Sequence, residues 1–245
     1  MNDWRGIHRP ELHWAPSGLP GWMRGLPGWA ARGMSESRLP VEVVSLLRSD
    51  LLRDSDLPRG NGQSVLLVPG FGFGDPSLLP LHAVLRHMGY RTVRSGIVSN
   101  IDCSDRTLDS LADVAEQAAQ RDGDRVQVVG QSRGGMLARG LGARRPDLVS
   151  RAMNLGGPLN DEFAFYEIPA PLVGLLQRHQ HRDPRRRNLQ CSTPECTCDY
   201  RLAAHRPLPE GIDLVSLYST SDGIVDWRAC VVPGATNIEV AGSHL

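Results

Sequence analysis

From residue 63 onward the hydrophobic and polar positions fall into two alternating kinds of segment. Short apolar or β-branched runs end in turn residues: Val65-Leu66-Leu67-Val68, Val126-Gln127-Val128-Val129 and Asp213-Leu214-Val215-Ser216-Leu217-Tyr218. Runs of this kind suit strands buried on both faces of a parallel sheet. Between them lie longer segments of helical period. Ser77 to Met88 is one, stopped by Gly89. Thr107 to Gln120 is another, with Leu108, Leu111, Val114, Ala115 and Ala118 on one face. Tyr90 to Arg94, Val149 to Leu155 and Asn237 to Val240 complete the strand candidates. Strand alternating with helix predicts an α/β fold with a mostly parallel, doubly wound sheet.

The alternation fails in two places. Residues 159 to about 210 hold an apolar stretch (Pro169 to Leu176), a basic run (Arg182, Arg185, Arg186, Arg187) and three close cysteines. This is the candidate for a cap inserted over one face of the sheet. Residues 1 to about 35 are rich in Gly, Pro, Arg and Trp, with Trp4, Trp14, Trp22 and Trp29 crowded together. Anchoring of this arm on the body and a loose tail are equally compatible with that composition. Val41, Val43, Val44, Leu46, Leu47, Leu51 and Leu52 then recur at helical spacing before Pro58-Arg59-Gly60 breaks the pattern. The expected organisation is an arm and amphipathic helix over 1–62 and one α/β domain over 63–245.

Composition narrows the function without naming it. A chain of 245 residues can bury one sizeable core. Its 27 Lys and Arg balance its 27 Asp and Glu, which gives no support for nucleic acid as the main partner. Met1-Asn2-Asp3-Trp4-Arg5 lacks the basic end and apolar run of a signal peptide, and no apolar stretch is long enough to span a bilayer. A cytoplasmic location is expected. An odd count of five cysteines is weak support for a disulfide framework.

The candidate chemistry centres on Gly130-Gln131-Ser132-Arg133-Gly134, which reads G-x-S-x-G. A strand runs into it and a helix leaves it, the context that makes such a turn a nucleophile elbow. A serine hydroxyl is a weak nucleophile until a base takes its proton, and the base needs an acid to fix its tautomer. His244 follows the last strand and is the candidate base. His8, His13, His82 and His87 precede the serine, whereas His179, His181 and His205 fall in the candidate cap. Asp222 and Asp226 compete for the acid. Asp222 is preferred because it lies in the turn straight after a strand, Ser219-Thr220-Ser221-Asp222-Gly223. A tetrahedral oxyanion needs two backbone donors. The Arg133 amide, next after the serine, is one candidate, and the Phe71 amide in Pro69-Gly70-Phe71, after the first buried strand, is the other.

With these motifs the chain resembles an α/β-hydrolase-fold protein of the lipase and esterase kind over about 63–245. The resemblance rests on Val65-Leu66-Leu67-Val68-Pro69-Gly70-Phe71, on Gly130-Gln131-Ser132-Arg133-Gly134-Gly135, on Tyr218-Ser219-Thr220-Ser221-Asp222-Gly223 and on Gly242-Ser243-His244-Leu245. It implies hydrolysis of a carboxylic ester, a small-molecule ester or lipid-like substrate, through an acyl-enzyme intermediate, with no cofactor and no metal. Acyl transfer or thioester hydrolysis by the same residues, and a non-catalytic binding protein on the same scaffold, are the alternatives. The family usually continues past its histidine into a helix, whereas this sequence stops at Leu245, so either a truncated sequence or a histidine loop less well held than usual is expected. Cys191, Cys196 and Cys198 are spaced C-x4-C-x-C. Zinc completed by His205 or Cys230, a disulfide and free thiols all stay open for them.

Overall fold

The computed structural model describes residues 44–45, 58–161, 164–165, 199–200 and 206–244. The tryptophan-rich arm, most of the amphipathic segment, most of the candidate cap and Cys191, Cys196, Cys198 and His205 lie outside the described residues.

Six strands form one parallel sheet: β1 (Ser64–Val68), β2 (Arg91–Arg94), β3 (Val126–Gln131), β4 (Val149–Leu155), β5 (Asp213–Tyr218) and β6 (Thr236–Glu239). The order across the sheet is β2-β1-β3-β4-β5-β6, and every neighbouring pair is parallel. Among the described residues the helices with both ends placed are α1 (Leu79–His87), α2 (Ser104–Asp122) and α3 (Arg133–Arg144). This is the α/β architecture the hydrophobic pattern predicts. From β1 the chain steps one way to β2 and then back the other way to β3. The carboxyl ends of β1 and β3 therefore flank the point where an open α/β sheet leaves a crevice.

The unbroken apolar run of β1 is explained by its position. Leu66 and Val68 face a core completed by Val126, Val128 and Ala152 of the sheet, Leu108, Leu111, Ala115 and Ala118 of α2, and Leu137, Ala138 and Leu141 of α3. Val65 and Leu67 face the opposite side, where Leu78, Leu81, Leu85 and Tyr90 pack with Val129 and Met153. Successive residues of a strand point to opposite faces, so a strand covered on both sides reads as a near-continuous apolar run. Burying each of the fully buried valine and leucine side chains among them contributes about 1.5–3 kcal/mol.

Two helix boundaries differ from the periodic pattern. The segment expected to run as one helix from Ser77 to Met88 is divided into a 3-10 turn, Asp75–Leu78, and α1. Pro80 has no amide to give, and the Pro76 carbonyl takes the Leu79 amide instead, an i to i−3 bond that tightens the chain. Helix α2 begins at Ser104, three residues before the expected Thr107, because the apolar periodicity starts only at Leu108. Its end is sharp, with Gly123 in the left-handed region at φ 69° and its amide bonded to the Ala119 carbonyl.

Arg139, buried within α3, donates to the carbonyls of Leu159 and Arg206, at 3.0 and 3.3 Å. One guanidinium thus ties down both described ends of the long segment between β4 and β5. Among the described residues no helix is long and apolar enough to cross a membrane.

Candidate active site

Ser132 joins β3 to α3 with φ 53° and ψ −121°, and it is the one non-glycine residue at positive φ among the described residues. A side chain rarely accepts that conformation, so the turn stores strain at Ser132. Its neighbours explain how the turn is tolerated. A Cβ on Gly130 would lie 2.0 Å from the Gly134 carbonyl, and one on Gly134 would lie 2.2 Å from the Val68 carbonyl. Only glycine lets the elbow close on itself and lets α3 rest against β1. The Ser132 amide donates to the Leu155 carbonyl at 2.7 Å, which fastens the turn to the end of β4.

The next two strands bring the acid and the base. Asp222 follows β5 and His244 follows β6, and both are buried. His244 Nδ1 lies 2.7 Å from Asp222 Oδ2. Opposite a carboxylate, Nδ1 carries the ring proton, which leaves the Nε2 lone pair as acceptor. The other carboxylate oxygen, Oδ1, accepts from the amides of Ile224 and Val225, each at 2.8 Å. Three donors thus fix the Asp222 carboxylate and aim one oxygen at the imidazole. Asp226 does something else: Oδ1 accepts from the Arg228 amide at 3.0 Å and caps the 3-10 turn Trp227–Cys230.

The loop after β4 links the serine to this pair. A Cβ on Gly156 would lie 3.5 Å from both Asp222 Oδ2 and His244 Nδ1, and one on Gly157 would lie 2.3 Å from the Ser132 carbonyl. The loop is held from below by Asn154, fully buried on β4. Its Nδ2 donates to the Gly157 carbonyl and to Ser216 Oγ, at 2.8 and 2.9 Å, and its Oδ1 accepts the Gly157 amide at 2.9 Å. A polar side chain is tolerated there because its hydrogen-bonding groups are partnered.

The histidine loop, expected to be loosely held, is held by side chains from other strands. Gln131 Nε2 donates to the His244 carbonyl at 3.2 Å. Ser219 and Ser221 hydroxyls both donate to the Gly242 carbonyl, at 2.6 and 2.9 Å. These anchors come from the elbow and from the acid turn, so serine, acid and base are braced against one another.

Phe71 lies in the loop after β1 and pairs with Asn100 as an isolated parallel bridge. Arg133 is the first residue of α3, at the positive end of the helix dipole. Sequence reasoning did not single out Asn100, Asn154 or the side chains of Gln131 and Arg133. The Gln131 to His244 bond spans 113 residues, and no local pattern signals such a partner. Cys230, buried behind the acid turn, has its thiol pushed up to about 12 by burial, with the Asp222 and Asp226 charges adding to it. It is a packed hydrophobe rather than a nucleophile. Among the described residues no group of three His, Cys, Asp or Glu side chains is placed to hold a metal ion.

No family model matches the chain, and no curated protein matches it. Solved structures do. The mature form of the Bacillus licheniformis lipase BlEst2 aligns over 78% of this chain and 88% of its own, with 14% identity and a TM-score of 0.50. A monoacylglycerol lipase of Paleococcus ferrophilus aligns over 77% and 88%, with 15% identity and a TM-score of 0.50. At such identities the likeness concerns the path of the chain, and that path, with its strand order, is the α/β-hydrolase fold.

Proposed function

We propose that the protein is a serine hydrolase that cleaves carboxylic esters through an acyl-enzyme intermediate. The observation that carries this reading is the buried Asp222–His244 pair, 2.7 Å apart, with a serine at φ 53° on the turn between β3 and α3 and the Gly156-Gly157 loop against both. Ser132 Oγ attacks the ester carbonyl while His244 Nε2 takes its proton, and Asp222 stabilises the imidazolium that forms. The tetrahedral oxyanion is held by the amides of Phe71 and Arg133, fixed dipoles that need no rearrangement as charge develops. His244 then protonates the leaving alcohol, and water repeats the sequence on the acyl-enzyme. No cofactor or metal enters this scheme, and the substrate is a small ester or lipid-like molecule.

The test is hydrolysis of p-nitrophenyl esters over a series of acyl lengths, with acyl-CoA as a parallel substrate. Wild type turns over the esters, a fluorophosphonate labels Ser132 stoichiometrically, and Ser132→Ala abolishes both. Turnover by Ser132→Ala equal to wild type overturns the reading. Preference for acyl-CoA over every ester moves it to thioester chemistry.

A further inference from the structure

The Arg133 side chain does not point along the helix it begins. Nη1 donates to the Asn100 carbonyl at 2.9 Å and to Asn100 Oδ1 at 2.5 Å, and Nη2 donates to the Asp102 carbonyl at 2.6 Å and to Ser104 Oγ at 3.1 Å. A planar guanidinium with two nitrogens directed this way grips one short segment, residues 100–104, at four points.

Asn100 passes that grip on. It is 1% exposed, and its remaining groups go to the loop after β1. Nδ2 donates to the Pro69 carbonyl at 2.6 Å. Its carbonyl, already bonded to Arg133, also accepts the Gly72 amide at 3.1 Å, and its amide donates to the Phe73 carbonyl at 2.8 Å. Phe71 sits between these three attachments and forms the bridge with Asn100 itself.

From this connectivity we infer that Arg133 has a second part in catalysis: through Asn100, its side chain sets the position of the Phe71 amide. On the reading of Ser132 as nucleophile, one residue then supplies the first oxyanion donor from its backbone and positions the second with its side chain. The local sequence supports a role beyond helix building. A cation in the first turn of a helix opposes the dipole, and the first turn of α3 carries no acidic residue to offset it. A choice that violates a local preference is expected where function requires it. Arg133 is in this respect a positioning residue, since its guanidinium acts through Asn100.

Every substitution at 133 except proline keeps the backbone N–H, so the loss is limited to what one misplaced donor contributes. Removing a single oxyanion donor lowers kcat by roughly 10²–10³-fold, and displacing a reacting group by an ångström loses about 10²-fold. Arg133→Met in the full chain is expected to lower kcat for p-nitrophenyl butyrate by about 10²-fold with KM changed less than about threefold. Inhibition by a trifluoromethyl ketone, which forms a tetrahedral oxyanion on the serine, weakens in the same proportion as kcat/KM. Asn100→Ala gives a similar loss. The double variant loses little more than the worse single one, because the two act as a unit. Arg133→Lys, which keeps the charge without the planar fork, recovers only a small part of the rate and serves if Arg133→Met does not fold. The inference is overturned by a loss confined to KM, by ketone inhibition that stays at the wild-type level while kcat falls, or by single losses that multiply. Failure of a fluorophosphonate to label wild-type Ser132 instead overturns the hydrolase reading on which the inference rests.

Discussion

Replacing Ser132 by glycine and by alanine separates the strain of the elbow from its chemistry. Both variants lack the Ser132 hydroxyl, so on the proposed function neither has activity to confound the comparison. Alanine keeps a Cβ and therefore keeps the unfavourable conformation at φ 53° and ψ −121°. Glycine adopts positive φ without steric conflict. A residue held in such a region costs about 1–3 kcal/mol. Against that relief stands the greater freedom of glycine in the unfolded chain, about 0.5–1 kcal/mol. With the middle of each range, Ser132→Gly is left more stable than Ser132→Ala by roughly 1 kcal/mol. For a domain of this size 1 kcal/mol shifts Tm by about 2–4 °C, so the glycine variant is expected to melt about that much higher. Scanning calorimetry on the two proteins in one buffer is the assay. A glycine variant that melts at or below the alanine variant would refute the view that the fold strains this serine to present it.

Four further outcomes follow from the same geometry. Asp222→Asn is expected to lower kcat by roughly 10³–10⁴-fold by upsetting the imidazole tautomer, while Asp226→Asn, which alters only a turn cap, stays within a few-fold; steady-state kinetics distinguish them. Gly134→Ala places a methyl 2.2 Å from the Val68 carbonyl and is expected to destabilise by about 3 kcal/mol, seen as a lower urea midpoint, whereas Gly142, whose Cβ position has no neighbour nearer than 3.6 Å and whose φ is not positive, is the control. Hydrogen bonds from Arg121 and Ser64 hold the Asp122 carboxyl well below the usual carboxylate range. Because the folded pKa is depressed, its contribution is complete above the unfolded value of about 3.9 and is lost as pH falls through the folded one. Wild type is therefore expected to exceed Asp122→Asn by on the order of 1 kcal/mol at neutral pH, and the gap should close in acid. Cys230, kept neutral by burial, is expected to remain unalkylated by iodoacetamide at pH 8 until denaturant is added, as peptide mapping would show.

The α/β layout was legible in the sequence because the physics that sets it is local. The run Val65-Leu66-Leu67-Val68 has no polar position, so it must be covered on both faces, and the structure puts a core cluster on each. The glycines around Ser132 announce a turn that no larger residue fits, and they announce it within five residues. Helix limits were less legible wherever the deciding contact was not an apolar one, as at Pro80 and Ser104.

Tertiary structure decided which side chains meet. Asp222 and Asp226 lie in one short stretch, and either one suits a turn. Only the fold turns Asp222 to the imidazole of His244 and leaves Asp226 capping a 3-10 turn. Asn100 carries no signal at all in the sequence, yet it joins the loop after β1 to the Arg133 guanidinium. Hydrophobic periodicity reports burial, which each segment experiences on its own. A hydrogen bond between residues 33 or 113 positions apart depends on the path of everything between them, and no short stretch of sequence contains that path.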